Sequence, residues 1–158
     1  MLRRATPADL DTAYAIEHTV FADDSWSREL LAAELESPHT YYLLAVDAAD
    51  DAVLGYCGLL APARAGQADI QTIAVVEAAR GRGLGRLLMQ ALLAEAWRRE
   101  VRTVFLEVRI DNEPARSLYR SLGFVDGQIR RGYYAGVDAI TMARELTAPQ
   151  PQLTEVQQ

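Results

Sequence analysis

Residues 80–86, RGRGLGR, place three glycines and three arginines in one turn. The turn follows an apolar, strand-like run and precedes an apolar, helix-prone run. The first amides of a helix have no intrahelical partner and carry the positive end of the helix dipole. Glycine lets the backbone approach a ligand closely, and arginine adds charged, forked donors. The turn is therefore predicted to bind a phosphate or pyrophosphate.

The spacing of this turn excludes two common nucleotide-binding motifs. Arg86 stands where the dinucleotide motif G-x-G-x-x-G requires its last glycine. A Walker-type loop requires a lysine, and all sixteen basic residues of this chain are arginine. The pattern that remains is R-x-x-G-x-G, from Arg80 to Gly85.

The motif R-x-x-G-x-G resembles the acyl-CoA-binding signature of the GNAT superfamily of N-acetyltransferases. The segments LEVRIDNEPARSLYRSLGF (106–124) and IRRGYYAGVDAITM (129–142) are similar to the RimI family within it. The resemblance is close from Ile73 to Met142 and loose before that. It implies direct transfer of an acetyl group from acetyl-CoA to the N-terminal alanine of a small-subunit ribosomal protein, without a covalent enzyme intermediate. It also implies the GNAT fold, with acetyl-CoA bound at a splayed central strand pair and no metal.

The same resemblance assigns the contacts to acetyl-CoA. The loop amides hold the pyrophosphate, the strand at 73–75 pairs with the pantetheine arm, and one of its N–H groups faces the thioester oxygen. Asn112 contacts the pantetheine arm in the family, although its position is equally typical of a helix N-cap. The implied contacts are Ile73, Ala74, Val75, Arg80, Gly81, Arg82, Gly83, Leu84, Gly85, Arg86 and Asn112.

Glu107 and Tyr119 are the candidate catalytic residues. An N-terminal amine has a pKa of about 7.7 to 8.0, so Glu107 has only a modest task as a base, directly or through a water. Tyr119 is the candidate acid for the leaving thiolate. Structural alternatives exist for both: a surface glutamate paired with arginine, and a core tyrosine on the apolar stripe of a short helix.

Three aromatic residues, Trp26, Tyr133 and Tyr134, are candidates for the groove that binds the acceptor peptide. Ordinary aromatic packing is an equally good explanation for them. The RimI family often has a proline before this tryptophan, whereas here Ser25 precedes it. The departure concerns the shape of the acceptor pocket and leaves the acetyl-CoA site unaffected.

Cys57, His18 and His39 are not assigned to the chemistry. Cys57 lies in an apolar strand without an evident histidine partner, so burial is the favoured prediction over a nucleophilic role. The two histidines form no metal-ligand spacing with other residues, and no metal is predicted.

Hydrophobic periodicity predicts the elements that position these residues. Strands are predicted at MLRRAT, TYYLLAVD, AVLGYCGLLA, ADIQTIAVVE, TVFLEVRID, FVDGQI and DAITMAREL. Helices are predicted from the Thr6 cap to about Phe21, from Ser27 to about Ser37, from Gly85 to about Arg99, and over EPARSLYRSLG. We expect one mixed α/β domain at 1–146, with helices on both faces of a largely antiparallel sheet. The polar tail at 147–158, with two prolines, is expected to be disordered.

Composition and charge limit the class of partner. The chain has 158 residues, half of them hydrophobic, and a formal net charge of −6, which argues against nucleic acid. Residues 1–75 carry a net charge of −8, which suits a cationic amine and a basic ribosomal tail, whereas 76–158 carry +2. A single cysteine, no signal-like start and no long apolar run predict a cytoplasmic protein that does not bind membranes.

Two alternative functions stay open at this point. In the first, the protein is a GNAT enzyme that acetylates a lysine side chain or a small-molecule amine. In the second, the domain binds acyl-CoA without catalysis, since a fold does not fix a function.

Overall fold

The computed structural model describes residues 1–147 and 156–157. Its four α-helices are α1 (Leu10–Phe21), α2 (Arg28–Glu36), α3 (Leu84–Arg98) and α4 (Glu113–Ser121). Its strands are β1 (Leu2–Arg4), β2 (Thr40–Val46), β3 (Val53–Leu60), β4 (Gln67–Val75), β5 (Thr103–Arg109), β6 (Val125–Tyr134), β7 (Val137–Glu145) and β8 (Val156–Gln157). No helix within this described part is long and apolar enough to cross a membrane.

The strands form one mixed sheet in the order β6-β7-β5-β4-β3-β2-β1-β8. The β4–β5 and β1–β8 pairs are parallel, and the other neighbours are antiparallel. Strand β4 connects to its parallel neighbour β5 through helix α3, as a parallel pair requires a crossover. The prediction of a mostly antiparallel mixed sheet is confirmed.

Helices cover both faces of this sheet because each face has its own apolar core. One core contains side chains of α3 and α4 with β5 and β7, including Leu88, Leu92, Tyr119, Leu106 and Met142. The other contains side chains of α1 and α2 with β2 and β3, including Ile16, Leu31, Leu44 and Tyr56. The prediction of helices on both faces is confirmed.

Three differences from the predicted elements have identifiable causes. Helix α3 begins at Leu84 because Gly83, with φ of 78°, takes the left-handed N-cap position. Strand β6 continues past FVDGQI to Tyr134 because β7 pairs along its length, with two register shifts. Most of the tail predicted to be disordered, 147–158, lies outside the described residues. Within that tail, Val156–Gln157 pair in parallel with β1.

The central strands β4 and β5 separate along their length. They pair only from Gln67–Asp69 to Thr103–Phe105, at their amino ends. Beyond this point β4 pairs only with β3, and β5 only with β7, in the described part of the chain. The carboxyl ends of both strands therefore flank a cleft, which is the splayed pair expected for the GNAT fold.

Candidate active site

The loop from Arg80 to Gly85 follows the carboxyl end of β4 and leads into α3. Gly81 and Gly83 have φ values of 80° and 78°, which favour glycine because a Cβ is strained there. A Cβ built on either residue would meet no atom within 4 Å, so the space in front of the backbone is open. The loop thus presents the first amides of a 15-residue helix to an open surface, as anion binding requires.

The three arginines of this loop form no salt bridge with any carboxylate among the described residues. Arg80 donates from Nε to the carbonyl oxygen of Val75 at 3.2 Å, and Arg82 lies 3.5 Å from the carbonyl oxygen of Ala78. Arg86 donates to the hydroxyl of Ser121 in α4 at 2.8 Å. Their positive charges are therefore available to a bound anion. The site fits the diphosphate of a coenzyme A thioester in charge and in backbone access.

Helix α4 packs against the start of α3, which brings Tyr119 to the same end of the sheet as the glycine loop. A Cβ on Gly85 would lie 3.3 Å from Cδ2 of Leu118. At the start of α4, the side chain of Asn112 accepts a hydrogen bond from the amide of Ala115 at 3.2 Å. The N-cap interpretation of Asn112 is thereby confirmed, and its contact with acetyl-CoA stays a prediction.

Tyr119 is almost fully buried, and its ring packs edge-on against Phe124 with centroids 6.1 Å apart. Its hydroxyl donates no hydrogen bond to any residue of the described chain. Burial, and to a lesser extent the neighbouring Tyr134, raises the pKa of Tyr119 well above its ordinary value of 10. The phenol therefore keeps its proton at neutral and mildly alkaline pH. The Tyr119 ring can thus be part of the core while its hydroxyl serves as a proton donor.

Glu107 lies on β5 beyond the point where the strand leaves β4. Its carboxylate faces the same side of the sheet as Phe105 and Arg109, as strand alternation predicts. The guanidinium that pairs with it belongs to Arg130 of β6, with Nε 3.1 Å from Oε1. The side chain is about one quarter exposed, so water reaches it. A paired surface glutamate and a solvent-linked base both fit this geometry.

The segment at 22–27, between α1 and α2, carries Trp26 and is held from two sides. Asp24 accepts from Nη1 of Arg109 at 2.8 Å, which ties the segment to the carboxyl end of β5. The amide of Trp26 donates to the buried carboxylate of Glu17 at 3.2 Å. Trp26 itself is half-buried. The predicted acceptor residue is thus connected to the strand that carries Glu107.

Tyr133 and Tyr134 lie at the carboxyl end of β6. Their rings meet edge-on with centroids 4.9 Å apart, and Arg130 lies over the Tyr133 ring at 5.3 Å. Tyr134 approaches the backbone oxygen of Glu107 at 3.5 Å, and burial raises its pKa to about 12. Within the described residues the Trp26 ring contacts neither tyrosine ring. The structure therefore places one tyrosine beside Glu107 and leaves the other half-exposed.

Two residues that are not assigned to the chemistry lie next to residues of the site: Cys57 pairs with Ile73 across β3 and β4, and His18 lies near Ser25. Cys57 is fully buried in β3, and burial raises the pKa of its thiol, which disfavours a nucleophilic role. His18 lies 3.4 Å from the hydroxyl of Ser25. No group of three or more metal-ligating side chains occurs among residues 1–147.

Sequence reasoning missed four charged residues that organise the site: Glu17, Asp24, Arg109 and Arg130. A signal existed only for Glu17, which interrupts the apolar stripe of α1 beside Ala13 and Ile16. Arg109 also binds the nearby Asp111, but its partner Asp24 lies 85 positions away and Arg130 is distant in sequence from Glu107, so no local pattern indicates these two pairings.

Comparison with known proteins supports the same assignment. Residues 8–124 match the acetyltransferase (GNAT) family model. The N-alpha-acetyltransferase RimI of Mycobacterium tuberculosis is 38% identical over 149 residues, which cover 91% of both chains. The ribosomal protein bS18-alanine N-acetyltransferase of Salmonella typhimurium is 46% identical over 81 residues, 49% of this chain and 55% of the relative.

A solved structure is similar over nearly the whole molecule. The ribosomal-protein-S18-alanine N-acetyltransferase of Escherichia coli superposes with a TM-score of 0.84 at 30% sequence identity, covering 98% of this chain and 99% of the other. The splayed strands, the glycine loop and these similarities lead to one conclusion: the chain belongs to the acetyltransferase (GNAT) family and, within it, to the RimI N-acetyltransferases.

Proposed function

We propose that this protein transfers the acetyl group of acetyl-CoA to the N-terminal alanine of a small-subunit ribosomal protein. The observation that carries the proposal is the cleft between β4 and β5, with the open glycine loop following β4 and Glu107 on β5. The activities named for the M. tuberculosis and S. typhimurium relatives support the choice of acceptor. A ribosomal substrate places the reaction in the cytoplasm.

The glycine loop and the strand at 73–75 bind and orient the acetyl-CoA. Unpaired amides at the start of α3, with the guanidinium groups of Arg80, Arg82 and Arg86, hold the diphosphate. From Ile70 to Val75, β4 has no strand partner on its β5 side among the described residues, so its backbone is available to an extended ligand. A backbone N–H in this stretch polarises the thioester carbonyl and stabilises the charge that develops on its oxygen.

Glu107 and Tyr119 move the protons. Glu107 accepts a proton from the ammonium form of the acceptor, directly or through a water, and the neutral nitrogen then attacks the thioester carbon. The nitrogen loses its surplus proton to water as the amide forms. The C–N bond forms and the C–S bond breaks, so no acyl group is placed on the protein. Tyr119, kept protonated by burial, donates to the departing sulfur. The segment that carries Trp26 and the tyrosine pair at 133–134 holds the first residues of the peptide.

Mass spectrometry on one synthetic peptide tests the proposal. The peptide has a free N-terminal alanine and one internal lysine, and it is incubated with acetyl-CoA and the protein. A matched peptide with a blocked N-terminus is the control. One acetyl group on the alanine, absent from the blocked peptide, is the expected result.

Two other results would each replace the proposal. Acetylation of the internal lysine in both peptides would indicate a side-chain or small-amine acetyltransferase. Binding of acetyl-CoA without transfer to either peptide would indicate an acyl-CoA-binding domain or a different acceptor class.

A further inference from the structure

Glu17 is a buried carboxylate that the chemistry above does not use. It lies on α1 with 1% of its surface exposed. No arginine or histidine nitrogen lies within salt-bridge distance of it in residues 1–147. Lysine is absent from the chain. A buried charge without a cation must be stabilised by hydrogen bonds, so its donors identify what the residue holds in place.

Three donors from three different elements meet at this carboxylate. The hydroxyl of Tyr56, on β3, donates to Oε1 at 2.5 Å, and the hydroxyl of Thr72, on β4, donates to the same oxygen at 2.6 Å. The amide of Trp26 donates to the other oxygen, Oε2, at 3.2 Å. One oxygen therefore joins helix α1 to the sheet, and the second holds the segment between α1 and α2.

The position of these donors relates Glu17 to both substrates. Thr72 directly precedes the β4 residues 73–75, which border the cleft. Trp26 lies two residues from Asp24, whose bond to Arg109 anchors the other end of the same segment. Ser25 gives the backbone before Trp26 more conformational freedom than a proline would. The conformation of this segment therefore depends more strongly on the hydrogen bond to Glu17.

We propose that Glu17 is a positioning residue for acceptor binding: its Oε2 fixes the Trp26 segment relative to the edge of β4. It touches no reacting atom and acts through Trp26. This inference rests on the proposed function, because it takes the Trp26 segment as part of the acceptor site.

Kinetics of Glu17→Gln, with Tyr56→Phe as the matched control, test the role. The glutamine oxygen still accepts from the two hydroxyls, but its NH2 group faces the Trp26 amide and cannot accept from it. Tyr56→Phe removes a hydrogen bond from the same carboxylate and leaves the Trp26 bond intact. In Glu17→Gln we expect the KM for the alanine peptide to rise about tenfold, the effect of one lost hydrogen bond to a charged group. The KM for acetyl-CoA should stay within about twofold, and Tyr56→Phe should leave both within that range.

Equal rises of the peptide KM in both variants, or a rise in both substrates' KM values, would show a general structural role and overturn the proposal. Glu17→Asp retains the charge with a shorter reach, and partial recovery of the peptide KM relative to Glu17→Gln is expected. No recovery would count against positioning through the carboxylate.

Amide hydrogen exchange in the unsubstituted protein supplies a test that needs neither a folded variant nor activity. The Trp26 amide should exchange more slowly than that of Ser27, for which the described residues provide no acceptor. Equal exchange rates would refute the link to Glu17. If the alanine peptide is not acetylated, the proposed function fails, whereas slow exchange at Trp26 still establishes the link.

Discussion

Gly83 and Gly66 have similar positive φ values, one in the loop that follows strand β4 and the other directly before that strand, so they form a matched pair for substitution. Their φ values are 78° and 71°, and a Cβ on either would meet no atom within 4 Å. Gly83 caps α3 in the proposed diphosphate loop, whereas Gly66 lies in the turn that enters β4. Alanine substitution at each position tests whether a ligand occupies the open space at Gly83.

The cost to stability should be the same at both positions. A left-handed alanine costs about 1–2 kcal/mol, and no clash adds to it because the space is open in each case. For a chain of this size this corresponds to a fall in Tm of about 2–8 °C. Binding of acetyl-CoA should differ. Loss of one charge-assisted hydrogen bond of about 1.5–3 kcal/mol would weaken binding about 10- to 150-fold in Gly83→Ala. No change is expected in Gly66→Ala.

Thermal unfolding followed by circular dichroism measures the first quantity, and calorimetric titration with acetyl-CoA measures the second. Similar losses of Tm with a change in Kd for Gly83→Ala alone would support the loop as the diphosphate site. The reasoning would be refuted if both variants bound acetyl-CoA as tightly as the unsubstituted protein while showing the expected loss of stability.

Further outcomes are expected for Glu107, Tyr119, Asp24 and Cys57. Glu107→Gln should lower kcat about 100-fold, which is the lower end for a general base because the amine is only weakly basic. This loss of kcat should become smaller between pH 7 and 9, and a loss that does not depend on pH would contradict the role of Glu107 as a base. Tyr119→Phe should lower kcat to a similar extent with an unchanged Tm, because the ring stays packed and the hydroxyl has no partner in the described chain. Since burial raises the pKa of Tyr119 above 10, kcat of the unsubstituted enzyme should not fall between pH 9 and 10, and a midpoint near 10 would count against it as the acid. Asp24→Asn should raise the peptide KM without changing that for acetyl-CoA, because it weakens the bond to Arg109; equal effects on both would argue against a specific acceptor role. Native Cys57 should resist iodoacetamide in a mass-spectrometric assay, since burial raises its pKa, and modification with loss of activity would indicate an accessible reactive thiol.

Much of the fold follows from local patterns in the chain. The strand–turn–helix succession around Gly83, and the alternation of buried and half-buried residues in β5, are visible in the sequence because each depends on neighbours a few residues away. The boundaries of the elements depend on more distant residues. The length of β6 depends on its pairing with β7, and the two register shifts in that pair leave no periodic trace in the sequence.

The candidate site shows the same division. The glycine loop and the positions of Glu107 and Tyr119 were predictable from motifs of contiguous residues and from family resemblance. The pairing of Glu107 with Arg130 rather than with Arg109 was not predictable, because Arg130 comes from a strand two positions away in the sheet. Trp26 was named as an acceptor residue, but what holds it in place was not visible.

The order of the elements, the glycine and arginine turn and the family follow from the amino-acid sequence alone, because these depend on short-range spacing, backbone preference and motif identity. Three-dimensional packing sets how far β4 and β5 separate and which guanidinium faces Glu107, and it brings Glu17 of α1 to two strands and the Trp26 segment. The same packing joins residues far apart in the chain, such as Asp24 and Arg109, which are 85 positions apart. Hydrogen bonds and ion pairs between such distant residues form only when packing of the two cores brings their elements together, so they leave no signal in the local sequence.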